Sequence, residues 1–165
     1  MKLTFRDNYE RWSYFAYKRP AVASCAILFH RDDVLLIKRT PKTRAYPDAW
    51  SYPGGFINTD NETIEECCVR EVLEETGIEI SVHQLDLLTI VSSPQTDPRT
   101  HVVCAIYFIT LNKNTKRPVV IASDDAVDFK WVPIETLVDE DDENYMKLAF
   151  NHNQLTADAC RKFLA

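Results

Sequence analysis

The chain has 165 residues, 45% of them apolar and 27% charged, a mix that buries one core without a metal or disulfide staple and is unlike a disordered chain. Its 25 Asp and Glu outnumber 19 Lys and Arg, for a formal net charge of −6, which excludes the basic surface that non-specific nucleic-acid binding requires. Five cysteines, an odd number with no CxxC pair, argue against a disulfide framework and a zinc site; small buried thiols in a reducing compartment account for them.

Residues 1–20 form a polar arm carrying Phe5, Tyr9, Trp12, Tyr14, Phe15 and Tyr17, aromatics expected to pack on the core or on a partner subunit. No long apolar run opens the chain and none approaches membrane-spanning length. One cytoplasmic domain over residues 1–165 is therefore expected, with no membrane or nucleic-acid partner. The apolar run Ala21–Phe29 reads as a buried strand, His30–Asp33 as a turn and Val34–Ile37 as the second strand of a hairpin. A loop over Pro41–Pro53 carries Arg44, Tyr46 and Trp50. It leads into Pro53-Gly54-Gly55, which holds two of the chain's three glycines, a sign of backbone that a Cβ would block.

Thr63–Thr76 reads as a helix. Thr63 and Glu66 make a capping box, Ile64, Cys68 and Val72 form an apolar stripe, and Gly77 sits where a C-cap needs positive φ. Strands are expected at Leu85–Val91, Val102–Leu111 and Asp128–Val132, rich in β-branched and aromatic residues. Asp139–Glu143 is an acidic linker, and a last helix is expected over Asn144–Leu164, with Leu148, Leu155, Cys160 and Phe163 for burial.

Glu71, Glu74 and Glu75 fall at i, i+3 and i+4, which places three carboxylates on one helical face. Like charges so placed repel, and a hard divalent cation would remove the cost. Arg70, four residues before Glu74, can orient it. Taken alone, a solvated acidic face explains the trio better than a metal site.

The surroundings reverse that reading. From Gly55 the chain runs through Glu62 to Arg70-Glu71-Val72-Leu73-Glu74-Glu75-Thr76-Gly77-Ile78, which resembles the box of the Nudix hydrolase family. One departure is plain: six residues, Phe56–Asn61, separate Gly55 from Glu62, one more than the family's usual spacing. The extra residue falls in a loop, where insertion costs little. Outside the box, Leu35–Arg39, Trp50–Phe56, Asp97–His101, Asp124-Asp125-Ala126 with Trp131, and Leu148–His152 resemble the ADP-ribose pyrophosphatase subgroup. So does the placement of Pro94.

The resemblance implies an α/β fold, the MutT-like α/β/α sandwich around a mixed sheet. It also implies metal-dependent hydrolysis of a nucleoside diphosphate linked to another group, with ADP-ribose split to AMP and ribose 5-phosphate as the leading case. The implied cofactor is Mg²⁺, with Mn²⁺ as its substitute. The implied ligands are Glu71, Glu74, Glu75, a Gly54 carbonyl and Asp125, with one carboxylate as base and Arg70 orienting them. Arg39, Arg44 and Arg99 become candidates for phosphate contacts and Phe56 for substrate contact. Cys67-Cys68 reads as packing, since no His or cation activates a thiol there. Two other functions stay open: a Nudix hydrolase of a nucleoside triphosphate or NDP-sugar, and a non-catalytic ADP-ribose-sensing module. Against the sensor form fused to a winged helix, the stretch after Phe150 is too short for one. A homodimer, common in the resembling group, is a further expectation.

Overall fold

The computed structural model describes residues 19–58 and 61–164, so the aromatic arm up to residue 18 lies outside the described residues. Among the described residues, seven strands form one mixed sheet. β1 (Ala21–His30) is its spine: every residue from Ala23 on is buried, as expected of a strand covered on both faces. The apolar run that marks it in the sequence has that cause. A turn at Arg31-Asp32, with Arg31 at φ 61°, connects it to antiparallel β2 (Asp33–Arg39).

On the other edge β1 pairs in parallel with β6 (Val102–Thr110), and β6 pairs antiparallel with β5 (Asp86–Val91). β7 (Ala126–Pro133) lies antiparallel on β2. Two short strands complete the sheet: β3 (Trp50–Ser51) on β2, and β4 (Gly54–Phe56) on the first half of β1. Both lie in or beside the stretch expected to be loop. They are too short to show period-2 alternation, so only pairing reveals them.

Strand alternation separates two cores. Ala26, Leu28, Ala105, Tyr107 and Ile109 face α1 (Ile64–Thr76) through Cys68 and Val72. Cys25, Ile27, Phe29, Ile106 and Phe108 face the opposite layer. That layer holds α2 (Glu135–Val138), α3 (His152–Ala159) and a π-helical turn over Cys160–Leu164. The result is the expected α/β/α sandwich. Cys25, Cys67 and Cys68 are buried free thiols.

The expected helix over Asn144–Leu164 is corrected to one that begins at His152. Its predicted first turns have other partners: Met146 N–H donates to the Thr136 carbonyl and Ala149 N–H to that of Trp50. The Asn153 side chain accepts from Leu148 N–H and donates to the carbonyls of Leu137 and Met146. Phe150, at φ 55°, turns the chain into the helix. These bonds across the fold outweigh the local helical pattern.

Candidate active site

α1 starts and stops where its sequence says. Thr63 Oγ1 accepts from Glu66 N–H, the Glu66 carboxylate accepts from Thr63 N–H, and Gly77 caps the end at φ 70°. Its apolar stripe rests on the sheet, which leaves one flank of the helix against β4. On that flank stand Glu71 and Glu75, both buried, while the Glu74 side chain is 45% exposed.

Arg70 is the hub. Its Nε and Nη2 grip the two oxygens of Glu62 at 2.9 and 2.8 Å. Nη1 reaches Glu71 at 2.7 Å and Glu74 at 2.8 Å, and Nη2 also donates to the Phe56 carbonyl at 3.1 Å. Such a charge-assisted fork fixes carboxylates in direction as well as distance. The bonds to Arg70 hold Glu62 well below the usual carboxylate range, at about 2. The extra loop residue therefore leaves Glu62 in register. Asn58 N–H donates to Glu62 and Asn61 N–H to the Asn58 carbonyl, while Thr59 and Asp60 lie outside the described residues.

Glu75 sits deeper. Burial first, with the charges of Glu71 and Asp125 adding, pushes its carboxyl up to about 8. Glu71 is also raised, chiefly by burial. Gly54 N–H donates to Glu75 Oε2 at 2.8 Å. Both glycines here make room that a side chain would fill. Gly54 has φ 155° and a Cβ would strike the Ser24 carbonyl; at Gly55 a Cβ would collide with the Glu71 carboxylate. Asp125 is exposed just before β7; its carbonyl accepts from Thr40 N–H, and its charge bears on Glu75 and Arg39.

Beside the carboxylates a cleft of about 650 Å³, counting its open mouth, lies between β1, β6 and the start of α3. Arg39, Phe56, Arg99 and Gly54 line it, as does Phe150. Arg39 donates to the Ala45 carbonyl and Thr43 Oγ1 and lies over the Phe150 ring, 5.4 Å from its centroid. Burial and the neighbouring Arg99 lower its pKa. Arg99 pairs with Asp97 at 2.7 Å and lies 4.8 Å over Phe56. Asp97, which also lines the cleft, lies in the field of both guanidiniums and is held below its usual range by them against burial. Arg44 does not join them: it is exposed and does not line the cleft. Its neighbour Ala45 is buried, and the Ala45 carbonyl accepts from Arg39 Nε.

Sequence reasoning missed the back wall. His152 Nδ1 accepts from Tyr52 N–H at 3.1 Å and its ring stacks on Tyr52. Tyr52 Oη hydrogen-bonds Thr156 Oγ1. The i, i+4 spacing of His152 and Thr156 was the available signal, but it carries no hint of a partner a hundred residues earlier.

The donor set suits a hard divalent cation: carboxylates and a backbone carbonyl, with the glycine cradle leaving Glu71 its room. As the side chains stand, no three His, Cys, Asp or Glu among the described residues enclose a common point; Arg70 holds Glu71 and Glu74 to itself. No helix among the described residues is long and apolar enough to cross a membrane.

The chain is 35% identical over 148 residues to an ADP-ribose pyrophosphatase of Methanocaldococcus jannaschii, covering 90% of this chain and 78% of that protein. Among solved structures, the NUDIX domain of Shewanella oneidensis NrtR complexed with ADP ribose superposes with a TM-score of 0.78 at 26% identity, covering 99% of this chain and all of that one. A bifunctional NMN adenylyltransferase/ADP ribose pyrophosphatase of Francisella tularensis, complexed with AMP and a Mn ion, matches with a TM-score of 0.75 at 25% identity. That match covers 94% of this chain but under half, 46%, of that one. The NUDIX domain family matches residues 18–153, and with the Arg70-centred carboxylates on α1 this shows that the chain belongs to the Nudix hydrolase family.

Proposed function

We propose that the protein hydrolyses ADP-ribose to AMP and ribose 5-phosphate, using Mg²⁺ or in its place Mn²⁺. The observation that carries the reading is the placement of buried Glu75 against Gly54 and buried Glu71 against Gly55, two glycines that line a cleft with Arg39 and Arg99. The long match to an ADP-ribose pyrophosphatase and the likeness to a domain complexed with ADP ribose support the substrate.

In this reading Glu71, Glu74, Glu75, the Gly54 carbonyl and Asp125 would hold the cation. The bound metal supplies charge neutralisation at the phosphoryl oxygens and lowers the pKa of attacking water. Arg70 keeps Glu71 and Glu74 aligned, and its two bonds to Glu62 anchor it when either carboxylate turns to the metal. One of these carboxylates would take the proton of the attacking water. Arg39 and Arg99 draw the diphosphate in, and Phe56 offers a ring face at the mouth. The substrate is a free nucleotide in the cytoplasm.

A sensing module would bind ADP-ribose and leave it intact. The test is the purified protein with Mg²⁺ and ADP-ribose, scored for AMP. Metal-dependent AMP release supports the enzyme; tight binding with no AMP at any metal concentration overturns it.

A further inference from the structure

The back wall of the cleft carries a group that the roles assigned above do not use. His152 lines the cleft and is buried. Its Nδ1 lies 3.1 Å from Tyr52 N. A backbone N–H can only donate, so Nδ1 must be the unprotonated nitrogen. Burial, with Arg39 nearby, keeps the ring neutral by pulling its pKa down to about 3. The single ring proton is therefore on Nε2. Among the described residues no acceptor lies within hydrogen-bond distance of Nε2. The ring is also held in place, stacked on Tyr52 with centroids 5.0 Å apart and flanked by Phe150 at 5.3 Å. Nε2 is not among the fully buried unpartnered polar atoms of the described residues, so it faces the open cleft as a fixed donor available to a ligand.

We propose that His152 is a substrate-binding residue whose Nε2–H donates to a phosphoryl oxygen of the bound nucleotide. The neighbouring cation of Arg39 makes phosphate the fitting acceptor on this wall. The same ring thereby couples ligand to machinery, because Tyr52 leads through Pro53 to Gly54, whose amide holds Glu75. The proposal rests on the cleft being the substrate site.

Two variants separate the ring's two nitrogens. His152→Asn places an oxygen near the Nδ1 position and keeps an acceptor for Tyr52 N–H, but removes the Nε2–H. His152→Gln reaches the Nε2 position with an amide N–H and loses the Nδ1 acceptor. Each is assayed with whichever nucleoside diphosphate compound the wild type turns over fastest. Failure of the ADP-ribose assignment would then show in the wild type alone and leave this comparison intact. His152→Asn should raise KM about tenfold, with kcat within about threefold and Tm close to wild type. His152→Gln should recover much of the KM and lose Tm. A His152→Asn enzyme with wild-type KM overturns the proposal. Should either variant fail to fold, histidine-¹⁵N spectra of the wild type in chelator decide. The Nε2–H resonance that persists in the neutral tautomer down to pH 5 should shift when substrate is added, and an unmoved resonance overturns the proposal equally.

Discussion

Glu75 carries two opposing demands. Its carboxyl titrates at about 8 in the folded chain, against 4.5 for an exposed glutamate, because burial penalises the charge. Between those values the folded state holds a proton that the unfolded state has lost, so stability falls as pH rises from about 4.5 to about 8. Glutamine is neutral throughout and its amide oxygen can still accept from Gly54 N–H. Metal-free Glu75→Gln should therefore melt several degrees above wild type at pH 8 and converge with it near pH 5, read by thermal denaturation in chelator. Its turnover should drop by about a hundredfold or more, since the charge that a cation needs is gone. A variant that folds and retains full Mg²⁺-dependent activity would remove Glu75 from the ligand set.

Gly55 makes the same point through space rather than charge. The methyl of Gly55→Ala must displace the Glu71 carboxylate, a side-chain end that can move without unfolding the strand. The expected result is a small change in Tm, about 1 kcal/mol in stability, with kcat down about tenfold or more. Unchanged kcat would mean that the position of Glu71 does not matter to the reaction.

At the level of elements, α1 was legible in full because its signals are local: the Thr63–Glu66 box, the four-residue stripe and Gly77 all lie within one turn of what they control. β1, β2 and β6 were equally readable, since burial writes itself as an apolar run; β5 and β7, largely exposed, were read from β-branched and aromatic content. The C-terminal helix was over-extended. What straightens residues 144–151 is a set of bonds to Trp50, Thr136 and Leu137 that no window of sequence contains. Asn153→Ala removes two of that segment's ties, to Leu148 N–H and the Met146 carbonyl, and a third to the Leu137 carbonyl on α2. At about 1 kcal/mol or more per buried partner left unmade, it should lower stability by about 2–4 kcal/mol, measurable by urea denaturation. A loss below about 0.5 kcal/mol would show that the segment is held otherwise.

The loop before α1 is a further case. Its extra residue leaves the Glu62–Arg70 fork intact. Deleting Asn61 should keep activity within about an order of magnitude, or roughly 1.4 kcal/mol in the barrier. A folded but inactive deletion variant would show that the added length positions a group in the site.

Across the whole molecule, the site joins parts distant in sequence: β4, α1, the turn before β7 and the start of α3. The carboxylates and Arg70 could be read from one helix. Of the cleft, Arg39, Phe56 and Arg99 were found only through the family resemblance, and Phe150 and His152 not at all, because these residues come together only when the sheet forms. Arg44 shows the limit: its charge fits phosphate, but it is exposed and does not line the cleft.

Two buried groups also shape the pH response of the metal-free protein. His152 titrates at about 3 in the folded chain against 6.5 free. The unfolded state binds more protons between those values, and stability from this group is lost as pH falls from about 6.5 to about 3. Glu75 erodes stability on the other side, up to about pH 8. Wild type should show a maximum between the two limbs, and Glu75→Gln should flatten the alkaline limb only. An unchanged alkaline limb in that variant would contradict the buried charge.

The central claim concerns the substrate, and kcat/KM with Mg²⁺ tests it most directly. ADP-ribose should be preferred over ATP, dATP and an NDP-sugar, with AMP and ribose 5-phosphate as products. A higher kcat/KM for any nucleoside triphosphate would contradict the account.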